Sequence, residues 1–221
     1  MRIMAFDLSS ACTGVTFADL KNKDILFLKT FSIRPEVSKT SVAKNLGYLH
    51  SENIATTGIR SWVKSSGEIV SKTEKKKRDV EVRNAINAEI KKYISTEIQK
   101  SIDSLSPDLV LVERNESFNG ILTTKFLAEI RGILEGVATK QPIVQYSVAE
   151  IRKKFNLAEM TQKYVSNLTP TQMKKEKDIT KNVLKEYLEN KYHIRCANTD
   201  ESDSLAVFDH YYEKEVMSRE N

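Results

Sequence analysis

Arg2 to Ile33 reads RIMAFDLSSACTGVTFADLKNKDILFLKTFSI. Residues 2–8 (RIMAFDL) have an apolar core of Ile3, Met4, Ala5 and Phe6 that ends at an acid, Asp7, which is the pattern of a buried strand. Residues 14–19 (GVTFAD) alternate, and residues 25–33 (ILFLKTFSI) make a third strand pattern. The connections are too short for crossovers, so the three strands are expected to form an antiparallel meander.

The remainder of the chain extends this meander into a mixed sheet. Residues 109–112 (LVLV) read as a central strand buried on both faces, ending at Glu113. PIVQY at 142–146 reads as another short strand. Apolar residues recur at three- and four-residue spacing over 80–105 (Val82, Ile86, Ile90, Tyr93, Ile94, Ile98, Ile102) and over 123–139, predicting helices. Further helices are expected at 148–155, 178–190 and 202–215. Residues 36–70 change character and read as an insertion with some helix. Residues 71–79 read as a flexible basic turn, and 157–173 as an irregular segment. The expectation is one α/β domain over 1–221, with parallel strands added to the meander, helices flanking the sheet, and an inserted basic segment at about 36–79.

Composition narrows the classes. The 221 residues carry 35 Lys plus Arg against 30 Asp plus Glu, a formal charge of +5. That balance is compatible with a nucleic-acid partner. Basic residues cluster at Lys72 to Arg78 (KTEKKKR) and at Lys174 to Lys181 (KKEKDITK). No stretch is apolar enough to span a bilayer, and the N-terminus lacks a signal-peptide core. Cys12 and Cys196 are far apart, with no zinc or disulfide spacing, which fits a reducing intracellular compartment. With 7 Gly and no phosphate-binding glycine loop, an actin-like ATPase or sugar kinase is a poor fit. His50, His193 and His210 show no ligand spacing and read as structural or surface residues. Cys12 has no adjacent base and does not read as a catalytic thiol.

The chemistry is expected from carboxylates. Asp7 and Glu113 stand where buried strands emerge, and a charge is costly there without a cation. Asp200 and Asp203, three apart at the entry of the last helix, share one helical face. Asp200 also suits a helix cap. Four such groups make a hard-oxygen site for Mg²⁺ or Mn²⁺. Two ions in one site can serve the attacking water and the leaving 3′ oxygen of a phosphodiester.

These motifs, taken in order, resemble the RuvC family of Holliday junction resolvases. FDLSSACTGVTF is similar to the family's first strand and hairpin, through Asp7, Thr13 and Gly14, although Leu8-Ser9 stands where many members have Pro-Gly. SPDLVLVERN resembles the strand carrying the second acid, Glu113. Arg131-Gly132 resembles a small-residue helix contact, and DESDSLAVFDH the terminal acidic signature, through Asp200, Asp203, Ser204, Leu205 and Ala206. Glu201 is an additional acid there and leaves the assignment of Asp200 open. The resemblance covers roughly 1–33, 80–155 and 174–212 and suggests a phage or viral-type member, acting in a host cell.

The resemblance implies an RNase H-like fold and a crossover-junction endodeoxyribonuclease. Its metal ligands and catalytic acids would be Asp7, Glu113, Asp200 and Asp203, holding two Mg²⁺ or Mn²⁺ ions. Lys177 would stabilise phosphate charge. Arg152, Lys153 and Phe118 would contact DNA. The basic segment at 36–79 has no counterpart in the family, and its charge alone suggests that Lys75, Lys76, Lys77 and Arg78 contact the DNA arms. It further implies a homodimer whose two sites address a nearly twofold four-way junction, with helix 80–105 as one candidate dimer surface. Two other readings stay open: an RNase H-like nuclease acting on RNA, RNA–DNA hybrid or flaps, and an inactive DNA-binding module.

Overall fold

Burial follows the apolar runs closely. In the computed structural model, Ile3, Met4, Ala5 and Phe6 are fully buried, as are Val110, Leu111 and Val112. The structure describes residues 1–9, 11–37, 41–42, 45–46, 48–50, 62–64, 72–114, 121–166 and 179–218. The chain divides into two compact units, one of Met1–Arg34 with Ser95–Asn221 and one of Pro35–Ile94.

The larger unit is built on a five-stranded sheet. Its strands are β1 (Arg2–Asp7), β2 (Thr13–Lys21), β3 (Asp24–Ile33), β6 (Leu109–Arg114) and β7 (Ile143–Ser147). Their spatial order is β3-β2-β1-β6-β7. The meander pairs antiparallel, β1 on β2 and β2 on β3, whereas β6 lies parallel to β1 and β7 parallel to β6. This is the expected mixed sheet. Asn22 and Lys23 close the β2–β3 hairpin with φ of 51° and 72°, the two-residue turn whose twist suits flanking strands.

Six helices are present among the described residues: α1 (Lys72–Leu105), α2 (Ile121–Val137), α3 (Val148–Lys154), α4 (Leu157–Ser166), α5 (Ile179–Tyr192) and α6 (Thr199–Tyr211). A π-helical turn, Tyr212–Met217, follows α6. Helix α6 lies across β1, β2, β3 and β6. Its Leu205, Ala206, Val207 and Phe208 are buried in the main core with Ile3, Ala18, Leu111 and Leu188. Full burial of each large apolar side chain contributes about 1.5–3 kcal/mol, so this helix is firmly seated.

Two local expectations are corrected. Residues 72–79 are helical rather than a flexible turn, because Lys, Glu and Arg are good helix formers even without an apolar face. Leu157–Ser166 is a helix and not irregular chain. In the smaller unit, Ser41, Val42 and Asn45 are helical, in line with an insertion holding some helix, and the segment also carries an unexpected strand pair, β4 (Tyr48–His50) antiparallel to β5 (Trp62–Lys64).

Candidate metal centre and the acids of helix α6

Asp7 is the last residue of β1 and is buried. Beyond the last β1–β6 pair, Phe6 with Val112, stand Asp7 and Glu113. Two acids thus emerge side by side at the carboxyl ends of adjacent parallel strands, the usual location of a ligand crevice in sheets of this kind.

The third and fourth acids come from α6, and a glycine brings them in. Gly14 pairs with Asp7 across the β1–β2 ladder. A Cβ built on Gly14 would lie 1.9 Å from the Asp200 carbonyl oxygen and 3.0 Å from the Glu201 nitrogen. No side chain fits in that space, so the start of α6 rests directly on the β2 backbone beside Asp7. Carboxylate oxygens of Asp7, Asp200 and Asp203 consequently lie within 4.8 Å of one another.

Asn198 is the N-cap of α6, its Oδ1 accepting from the Glu201 amide at 3.0 Å. The helix therefore begins at Thr199, ahead of the expected 202, and Asp200 sits inside its first turn rather than capping it. Glu201 turns away from the other acids. Its carboxylate accepts from Thr30 Oγ1 at 3.1 Å and from the Ala197 amide at 2.9 Å, tying the helix start to β3. Thr16 Oγ1 and Ser204 Oγ, 2.9 Å apart, make a second tie.

The electrostatics of the cluster are unbalanced. Burial pushes the Asp7 carboxyl well above the usual range, and Glu113 and Asp203 add to this as like charges. Glu113 is pushed up to about 7 by burial and then by Asp203, against the opposing pull of Arg152 and Lys181. Burial also raises Asp203, with Lys181 working the other way. Lys181 Nζ donates to Asp203 Oδ2 at 2.5 Å. Burial lowers the Lys181 ammonium, yet the attraction of Asp203, Asp7 and Asp200 prevails and raises it.

Lys181 was not among the expected site residues. The expected lysine, Lys177, lies outside the described residues, as does Phe118. Lys181 shares a helical face with Leu184 and Leu188, both buried, and a lysine in an apolar stripe was the available signal. Arg152 is exposed and close enough to Glu113 and Asp203 to lower both. Lys153 is exposed on the same helix, and Lys77 is exposed on α1. The side chains of Lys75, Lys76 and Arg78 lie outside the described residues. Next to Asp200, Arg34 Nε donates to the buried Cys12 Sγ at 3.3 Å, and burial raises that thiol. Nothing among the described residues lies within 4 Å of a Cβ built on Gly132.

Helix α6 carries a second acid cluster near its other end. Asp209 is fully buried. Its carboxylate accepts from Lys191 Nζ and Tyr192 Oη, each at 2.5 Å, and from Lys154 Nζ. Lys154 also donates to the Asp209 carbonyl at 2.8 Å and pairs with Glu213 at 2.9 Å. Lys191 pairs with Glu213 as well. Against the effect of burial, these lysines hold Glu213 below its ordinary value.

No family model and no curated protein matches the chain by sequence. Solved structures match it by fold. Thermus thermophilus RuvC in complex with a Holliday junction substrate superposes with a TM-score of 0.51 at 10% identity, covering 96% of both chains. A second Thermus thermophilus RuvC structure gives a TM-score of 0.50 at 13% identity, again covering 96% of both. The chain has a RuvC-like fold.

Proposed function

We propose that this chain is a metal-dependent endonuclease that resolves four-way DNA junctions by phosphodiester hydrolysis. One observation carries the reading: three carboxylates converge within 4.8 Å at the strand ends of a RuvC-like fold. With Glu113 beside them there are four acids, and Lys181 is the lysine ion-paired to them among the described residues. A partly buried cluster left this negative is suited to hard cations with oxygen ligands.

Asp7, Asp200 and Asp203 would hold the ions, with Glu113 completing the set. Bound Mg²⁺ or Mn²⁺, two ions per site, supplies the activated water and neutralises charge on the leaving oxygen. Asp7 projects from a fixed strand end and sets the depth of the site. Asp203 is oriented by Lys181, whose ammonium also faces the place a phosphate would occupy. Lys181 is thereby the residue to which we assign the phosphate-stabilising role first read for Lys177. Arg152 and, more peripherally, Lys153 would contact the DNA, with an affinity that weakens as salt rises. A homodimer would present two such sites to the junction, and the basic residues of 36–79 would meet its arms. No helix among the described residues is long and apolar enough to cross a membrane.

The test is cleavage of a labelled four-way junction with Mg²⁺ or Mn²⁺, beside linear duplex, RNA–DNA hybrid and the Asp7→Asn variant. Paired nicks in the junction alone, lost in the variant, are expected. Cutting of the hybrid instead would move the substrate to RNA-containing duplexes. Well-folded protein that cuts nothing would overturn the enzyme reading.

A further inference from the structure

Beside the acid cluster lies a recess of about 270 Å³. Its apolar lining comes from Leu157 at the start of α4 and from Ile179 and Leu184 on α5, and Arg152, Thr180, Lys181 and Asp203 complete it. Leu157 and Leu184 are themselves buried, so this wall is part of the packed core. Thr180 and Arg152 are exposed at its edge.

Two features define what would fit. First, the recess shares Asp203 and Lys181 with the acid cluster. Its occupant must therefore adjoin whatever phosphate reaches that cluster. Second, the lining is mixed. A second phosphate would gain from Arg152 and Lys181 but would be desolvated against three aliphatic side chains. A flat heteroaromatic ring suits all of them. Its faces can pack on Leu and Ile, the Arg152 guanidinium can stack on it, and the Thr180 hydroxyl can bond to its edge. The volume lies just below the roughly 300–1,000 Å³ typical of drug-sized ligand pockets, which is room for one ring system.

We infer that this recess receives one unstacked nucleobase next to the phosphate being cut, an assignment that rests on the nuclease reading. Removing a base from its stack is least costly where pairing is already interrupted, as at a branch point. The recess would thus add a preference for the nucleotide at the cut to the recognition of junction shape.

The experiment uses the full chain carrying Asp7→Asn, with Ca²⁺, and a four-way junction bearing 2-aminopurine at one position at a time around the branch point. Fluorescence is expected to rise several-fold at one position on saturation and to stay flat elsewhere. Adding Thr180→Phe, which fills the recess from its exposed edge, should abolish the rise while the junction still binds in a gel-shift assay. In the active chain, Thr180→Phe should slow cleavage of the intact junction about tenfold, the loss of roughly one stacked base. On a junction made abasic at that position, the same substitution should slow cleavage less than twofold.

A bound junction with no rise at any position overturns the assignment. So does equal slowing on intact and abasic junctions, since the added ring would then be acting on the fold or the metal site. A chain that binds, shows the rise and cuts nothing would sink the nuclease reading and keep the pocket. Failure to bind any junction would remove both.

Discussion

The two acid clusters of α6 contain similar residues in opposite electrostatic states. At the C-terminal end, the carboxylate of Asp209 is met by two lysines and a tyrosine, all donated by the chain itself. At the N-terminal end, Asp7, Glu113, Asp200 and Asp203 share one ion-paired lysine among the described residues. Each cluster centres on a buried acid, Asp7 in one and Asp209 in the other. The difference teaches that a buried acid is not itself a sign of function: the informative quantity is whether the chain supplies its cations.

The largest expected effect would break this contrast outright. Asp7→Asn should reduce cleavage on the order of a hundred- to a thousandfold, the usual scale for losing a preorganised charge partner. It should also raise the melting temperature of the metal-free protein by about 2–4 °C, because one member of a repelling buried group is gone. A lower melting temperature in EDTA would mean that the N-terminal cluster is internally satisfied after all. Asp209→Ala should do the reverse. Breaking a buried pair typically costs about 3–5 kcal/mol, which predicts a melting temperature lower by about 10 °C, with cleavage at 25 °C changed less than twofold. An unchanged melting curve would remove the structural role given to that cluster.

Gly14→Ala sharpens the geometry. The added methyl collides with the Asp200 carbonyl, so the helix start must retreat. The expected loss is about 1–3 kcal/mol of stability, together with weaker Mn²⁺ binding by calorimetry. Full Mn²⁺ affinity in a folded Gly14→Ala protein would show that the close approach does not set the site.

The smallest effect is in pH dependence, and its sign differs between the clusters. Glu113 is raised from its ordinary 4.5 to about 7, so the folded state holds the extra proton between those values. Its contribution to metal-free stability is complete below about 4.5 and is lost as pH rises through about 7. Asp7 acts in the same direction. Glu213 is lowered, so its contribution is present above its ordinary value and lost as pH falls. Melting curves from pH 5 to 8 in EDTA should show the first trend, and Mg²⁺ should stabilise more at pH 8 than at pH 5. Glu113→Gln should flatten the slope, and an unaltered slope would assign it to other groups.

Much of this architecture was legible beforehand. The strands expected at 2–8, 109–112 and 142–146 announced themselves by their apolar residues, and the helices expected over 80–105 and 123–139 by their period; the observed elements overlap each of them. Asp7, Asp200 and Asp203 could be grouped because two are three apart on one helix and the third ends a strand. What sequence could not give was partnership. Asp203 and Asp209 both lie on α6, and only the fold brings Lys181 to the first and Lys154 and Lys191 to the second. Asn198 was missed as the cap because Asp200 offered equally good capping chemistry two residues later. Glu201 was ambiguous for a related reason: helical geometry alone does not say whether an acid beside the motif faces β3 or the other carboxylates.

The central position of β1 has a kinetic side. Its hairpin partner β2 follows immediately, but the other contacts of this pair are remote: the Arg2 amide of β1 meets Asp108 across 106 residues, and Thr16 of β2 meets Ser204 across 188. Loop closures of that length slow folding. The early meander can form quickly, yet Asp7 gains its partners only after α6 has docked. Hydrogen-exchange pulse labelling should therefore find the β1–β3 amides protected before those of 201–211, with an unfinished chain presenting a ready sheet and no assembled centre.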